Sequence, residues 1–256
     1  MVKRVGVYVD SGASFATVIR AITQELDSDY IVQAVVAEHL DNNDFLDELD
    51  VFVMPGGADL PYCKKLNGSR NARLRSWVEQ GGVYLGLCAG AYYGCSEIFF
   101  NGRYGEISGK RELGFLEGTA IGSLPELAPL YDGTLKSAAV VSLITSNGGE
   151  ATSFYHGGPF FQIEEDSRVK VLARYEEVKN KPAAIVESGV GAGKALLCGV
   201  HPEVSVSELR IKIRNIENLK LEEDYSSRLV SALEMVEFQR RELWRMLLTR
   251  CGLKVE

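Results

Sequence analysis

The chain has 256 residues, 46% of them hydrophobic and 25% charged, with a formal net charge of −7. This is the composition of an ordinary globular domain, and the acidic balance excludes a general nucleic-acid surface. No apolar run approaches the roughly 18 residues of a membrane span, so no membrane role is expected.

In chain order, Met1-Val2-Lys3-Arg4 leads directly into a predicted strand, Val5 to Val9. That run is too short for a secretory signal and ends in Asp10. A helix from Ser14 to Leu26 follows, with Ser14 as its cap. Then come a strand at Tyr30 to Ala37, a short turn or helix at Asp44 to Leu49, a strand at Val51 to Met54, a helix at Asn71 to Gln80 and a strand at Val83 to Leu87. The alternation of strand and helix with continuous apolar runs predicts a parallel sheet covered on both faces.

Further on, Ala138 to Thr145, Ala151 to Tyr155, Phe160 to Glu164 and Val169 to Tyr175 are short strand candidates separated by turn residues, which predicts antiparallel additions. Ala183 to Glu187 and Ala195 to Val200 read as a pair joined by Ser188-Gly189-Val190-Gly191-Ala192-Gly193. Followed by Lys194-Ala195, that turn imitates a phosphate loop, but Ser188 and Ala195 replace the required glycine and hydroxyl. The chain closes on a helix from about Tyr225 to Cys251. Leu229, Leu233, Val236, Leu243 and Leu247 form its apolar stripe, and Arg240, Arg241 and Glu242 its wet side. One domain is expected, with a core over about 1–205 and a C-terminal helical extension over about 206–256.

Three segments carry chemistry. Gly86-Leu87-Cys88-Ala89-Gly90 puts a cysteine at the centre of a G-x-nucleophile-x-G turn between a strand and a helix, where the flanking small residues avoid a clash. The turn exposes the thiol and aims it at a helix N-terminus, which favours thiolate. His201-Pro202-Glu203 follows a strand end; its imidazole can reach a nucleophile at a neighbouring strand end, and Glu203 can fix the tautomer. Pro55-Gly56-Gly57-Ala58-Asp59-Leu60-Pro61 follows another strand. An amide from Gly56 or Gly57, with that of Ala89, would form an oxyanion hole.

In this order the segments resemble the class I glutamine amidotransferase-like family. More closely they resemble the amidotransferase-like domain at the N-terminus of fungal-type biotin-protein ligase. Pro55 to Tyr62, Gly86 to Gly94 and Tyr155-His156-Gly157-Gly158-Pro159-Phe160-Phe161 carry the likeness; the family tends to show Tyr-Asn-Gly-Gly at the third. The resemblance implies a flavodoxin-like α/β three-layer sandwich with a mixed, mostly parallel sheet. It also implies Cys88 as nucleophile, His201 as base, Glu203 as orienter, and Gly57 and Ala89 as oxyanion amides.

Two features depart from the family pattern. Ala91-Tyr92-Tyr93 stands where glutamine-hydrolysing members continue with a polar stretch such as Gly-His-Gln. Gly102-Arg103-Tyr104-Gly105 does not match the Gly-Arg-Gly-Arg loop of a biotin-ligase catalytic domain.

Gly56, Asp59, Tyr92 and His156 are candidate pocket residues. The bland reading of His156 is packing beside aromatic strands, and that of His39, between Glu38 and Asp41, is solvation. Three histidines without ligand spacing give no metal site, and no cofactor is expected. Cys63, Cys88, Cys95, Cys198 and Cys251 show neither C-x-x-C pairs nor an even framework, which predicts free thiols and a cytoplasmic location. Cys95 and Cys198 read as inert core.

Three functional readings follow. The first is a cysteine-dependent amide hydrolase acting on a small-molecule amide such as glutamine, with a synthase or ligase partner protein. The second is a non-catalytic ligand-binding or regulatory module. The third is a cysteine amidase acting on a small peptide.

Overall fold

The structure, a computed structural model, describes residues 3–163, 168–215 and 223–255. Its first half alternates strand and helix: β1 (Lys3–Tyr8), α1 (Phe15–Glu25), β2 (Tyr30–Val35), α2 (Asn43–Asp47), β3 (Val51–Met54), α3 (Asp59–Leu66), α4 (Ser69–Glu79), β4 (Val83–Leu87) and α5 (Ala89–Gly94). A β-rich stretch follows, comprising β5 (Cys95–Gly102), β6 (Gly105–Lys110), β7 (Leu116–Gly122), β8 (Ala139–Thr145), β9 (Glu150–Tyr155), β10 (Phe160–Ile163), β11 (Val169–Tyr175), β12 (Ala183–Val190) and β13 (Gly193–Cys198). The described chain closes on α6 (Val206–Arg214), α7 (Glu223–Met235) and α8 (Glu237–Arg250).

Among the described residues, one mixed sheet runs β2-β1-β3-β4-β13-β12-β10-β7-β5-β6, with β11, β8 and β9 branching from β12. Strands β2, β1, β3, β4 and β13 are mutually parallel. Their residues alternate between two cores. Val5, Val7, Val51, Val53, Leu85 and Leu87 pack under α1 and α8, whereas Tyr8, Phe52, Met54 and Tyr84 pack under α3 to α5. A strand buried on both faces must be apolar throughout, which is why these runs lack the alternation of an exposed sheet. A smaller cluster, including Leu135, Phe154, Val204, Leu209, Leu229 and Leu233, seats α6 and α7. The fold is the α/β sandwich expected, with helices on both faces.

Several expectations need correction. The closing helix is two helices: Val236 leaves helical geometry at φ −120°, and its N–H turns to Leu233 O at 3.2 Å. Arg240, read as solvated, is 4% exposed and donates to the Pro202 carbonyl and to Glu237. Ser14 occupies the position before α1, but its side chain makes no capping bond; its N–H is spent on Gly56 O at 2.8 Å. Strands β5 to β7 and helix α3 have no counterpart in the sequence reading. As expected, the phosphate-loop look-alike is the hairpin turn joining β12 to β13. Of the strand expected over Phe160 to Glu164, Phe160–Ile163 is strand, and Glu164 lies outside the described residues.

Candidate functional site

Three neighbouring parallel strands end at one edge of the sheet and deliver the three motifs together. β3 leads into Pro55-Gly56-Gly57, β4 into Cys88, and β13 toward His201. The Cys88 N–H donates to Cys198 O at 2.9 Å and the Gly90 N–H to Pro55 O at 3.1 Å, so the turn is tied to both neighbouring strands. Cys88 itself adopts φ 48° and ψ −104°, a backbone state that L-residues avoid and that costs on the order of 1–3 kcal/mol. The glycines around it are sterically required. A Cβ on Gly86 would stand 2.5 Å from Gly90 O, and one on Gly90 2.1 Å from Met54 O.

His201 is fixed by its backbone N–H, which donates to Phe154 O at 2.7 Å, and by its ring, whose Nδ1 meets Glu203 Oε1 at 2.8 Å. The ring and the Cys88 side chain both stand beside Gly56: a Cβ built there would lie 2.9 Å from His201 Cε1 and 3.4 Å from Cys88 Cβ. Burial alone would lower the His201 pKa. The Glu203 carboxylate and the Cys88 side chain outweigh it by charge and hydrogen bonding and push the ring up to about 10. The Cys88 sulfur also donates to the His156 carbonyl at 3.7 Å.

Among the described residues, the backbone bonds of the two turns leave the N–H groups of Gly57 and Ala89 unused. Gly57 has φ 133°, and a Cβ on it would collide with Gly12 O at 1.9 Å. Cys88, His201 and Glu203 all line one cavity of about 360 Å³, and within it the His201 ring is hydrogen-bonded to Glu203. All four pocket candidates, Gly56, Asp59, Tyr92 and His156, line the same cavity.

The biotin-protein ligase N-terminal family matches residues 3–256. The chain belongs to that family. It is 34% identical over 199 residues to a biotin–protein ligase of Schizosaccharomyces pombe (strain 972 / ATCC 24843), a match covering 75% of this chain and 32% of the ligase. It is 39% identical over 155 residues to an uncharacterized protein of Chlamydia muridarum (strain MoPn / Nigg), covering 60% of each. The match therefore spans about a third of the ligase and three fifths of the chlamydial relative. Two solved structures share the fold. The structure of PurLQS from Thermotoga maritima has a TM-score of 0.55 and 18% identity, covering 82% of this chain and 92% of that one. A glutamine amidotransferase has a TM-score of 0.56 and 21% identity, covering 89% and 98%.

In this member of the biotin-protein ligase N-terminal family, the cavity residues have defined partners. Asp59 is paired with Arg111, whose Nε donates to Oδ2 at 2.7 Å within the protein interior. Tyr92 donates to Gly157 O at 3.2 Å, and its burial raises its pKa far above the usual phenol value, keeping it neutral. His156 is half-buried. Its Nε2 meets Thr134 O at 3.0 Å and Ser137 Oγ at 3.3 Å. Burial, with lesser contributions from His201 and Lys212, pushes its pKa down to about 4.

The sequence reading missed Arg111, Tyr131 and Lys212, and it missed the wall formed by Ile98, Phe100 and Ile107. The Ile98-Phe99-Phe100 run was the available strand signal, whereas Arg111 has no local mark. His39 is exposed and stacks on Phe45 with ring centroids 4.6 Å apart. All five cysteines are free; Cys95 and Cys198 are buried, and burial raises both thiols well above the usual value, whereas Cys88, expected to be exposed by its turn, is also buried, at 7% exposure. Among the described residues, no group of three or more His, Cys, Asp or Glu side chains is placed to hold a metal ion, and no helix is long and apolar enough to cross a membrane.

Proposed function

We propose that this family member is a cysteine-dependent amide hydrolase with Cys88 as nucleophile, His201 as proton carrier and Glu203 as the group that orients it. The observation that supports this reading is that all three side chains line one cavity, with the Cys88 side chain and the His201 ring both beside Gly56 and the ring's Nδ1 2.8 Å from Glu203 Oε1. In the proposed cycle, His201 takes the proton from the Cys88 sulfur. The sulfur then adds to the amide carbonyl carbon, and the carbonyl electron pair moves onto oxygen, held by the Gly57 and Ala89 N–H groups. Collapse of the tetrahedral adduct breaks the C–N bond, and His201 returns its proton to the departing nitrogen. Water, deprotonated by His201, releases the acid from the thioester and restores the thiol.

Because Glu203 and the Cys88 side chain raise the His201 pKa, the ring retains the proton it takes from the sulfur until the amine leaves. Ammonia passed to a synthase or ligase partner protein would be the use suggested by the amidotransferase-like fold.

The test is ammonia release from a panel of primary amides, glutamine included, by wild type, Cys88→Ser and His201→Gln. The expected result is turnover of at least one amide, loss of turnover in Cys88→Ser, and a drop of about 10²–10⁴-fold in His201→Gln. Equal rates in wild type and Cys88→Ser would overturn the reading. Saturable ligand binding without turnover would establish the second reading, a binding module. That reading is favoured by Ala91-Tyr92-Tyr93, because Tyr92 spends its hydroxyl on Gly157 O instead of offering it to a ligand.

A further inference from the structure

The cavity above Cys88 has one wall that nothing in the proposed chemistry requires. Ile98 and Phe100 are two residues apart on β5 and so share a face, and Ile107 of β6 is the direct cross-strand partner of Phe100. Strand β6 is the sheet's outer edge and is otherwise exposed; Ile107 is its one half-buried residue. An edge hairpin turned to water would present polar side chains on this face, as its other face does with Glu97 and Ser108. Instead the face is apolar and lines the cavity.

Aromatic rings extend this wall. The Tyr92 and Phe100 ring centroids are 5.8 Å apart, and those of Phe100 and Tyr131 5.7 Å apart, both edge-to-face. Leu60, half exposed at the start of α3, completes the rim.

Charge points the same way. Among the lining residues the acids are Asp59 and Glu203, and Glu203 Oε2 is buried without a hydrogen-bond partner among the described residues. The one lining lysine or arginine is Lys212, because Arg111 is directed onto Asp59 from outside the lining. Both acids are already partnered, Asp59 by Arg111 and Glu203 by His201, so a charged substrate group laid along the apolar wall would lose its water without gaining a partner in that wall.

Resting on the Cys88 nucleophile reading, we infer that the substrate is an amide bearing a bulky apolar or aromatic group near the scissile bond. The wall of Leu60, Tyr92, Ile98, Phe100, Ile107 and Tyr131 receives that group, as apolar linings do in small-molecule sites.

The test compares two alkylating agents of the same chemistry, iodoacetamide and N-benzyl iodoacetamide, on the full chain. Adduct formation at Cys88 is followed by peptide mapping and normalised to each reagent's rate with glutathione. The expected result is a preference of about tenfold or more for the benzyl reagent at Cys88, because its aromatic ring is buried against the apolar wall. The same preference should fall severalfold in Ile107→Asp, with the iodoacetamide rate kept. Labelling of Cys88 by iodoacetamide with no benzyl preference, or a preference unchanged in Ile107→Asp, would overturn this inference and leave the nucleophile standing. Failure of both reagents to label Cys88 would overturn both.

Discussion

Gly90 illustrates how few atoms separate this site from a collapsed turn. Its missing Cβ leaves room for Met54 O, its N–H holds Pro55 O, and its carbonyl accepts the Tyr84 hydroxyl at 2.7 Å. Gly90→Ala should destabilise the protein by about 1–3 kcal/mol, the usual range for overpacking, as read from the urea midpoint. The two cavity histidines should act on opposite sides of neutrality. His201 has a folded-state pKa raised to about 10, so the stability it contributes is complete below its unfolded value of 6.5 and is lost as pH rises toward 10. The stability difference between wild type and His201→Gln should therefore shrink between pH 7 and pH 10 in urea unfolding. His156 is depressed to about 4, so its contribution is present above 6.5 and lost as pH falls toward 4. His156→Gln should flatten that acid limb.

At the scale of elements, α8 reaches the site through one side chain. Arg240 donates to the carbonyl of Pro202, the residue between His201 and Glu203, and is itself held by both carboxylate oxygens of Glu237. Arg240→Met would leave that carbonyl without its donor, at about 1–3 kcal/mol. It should also slow Cys88 alkylation, because the imidazole would lose its fixed approach. A variant that loses stability but alkylates at the wild-type rate would show that α8 supports the turn without positioning the ring. The break at Val236 turns α8 so that Leu243, Trp244 and Leu247 join the same core as Val5, Val53 and Leu85.

For the whole molecule, the C-terminal helices belong to the cover of the sheet. Trp244 is 1% exposed and its Nε1 donates to Ala21 O at 3.2 Å, while Arg241 pairs with Glu25 at 2.7 Å, so α8 is clamped to α1 at two points. Trp244→Ala should lower stability by about 3–5 kcal/mol in denaturant unfolding. The family match over residues 3–256 includes these helices, in keeping with their place over the core.

The parallel half of the sheet was legible in the sequence because a strand buried on both faces writes itself as an unbroken apolar run. The turn at Cys88 was legible because only small residues fit around it. Those are local constraints, felt within a few residues. Arg111, Arg240 and the wall of Ile98, Phe100 and Ile107 answer to partners far along the chain, 52 residues away for Arg111 with Asp59 and 38 for Arg240 with Pro202. A charged side chain looks solvated until the fold supplies the acceptor that buries it. The sequence by itself thus determined which residues could carry the chemistry. Only the tertiary structure decided that they share one cavity, because strand order, not chain order, sets which ends are neighbours.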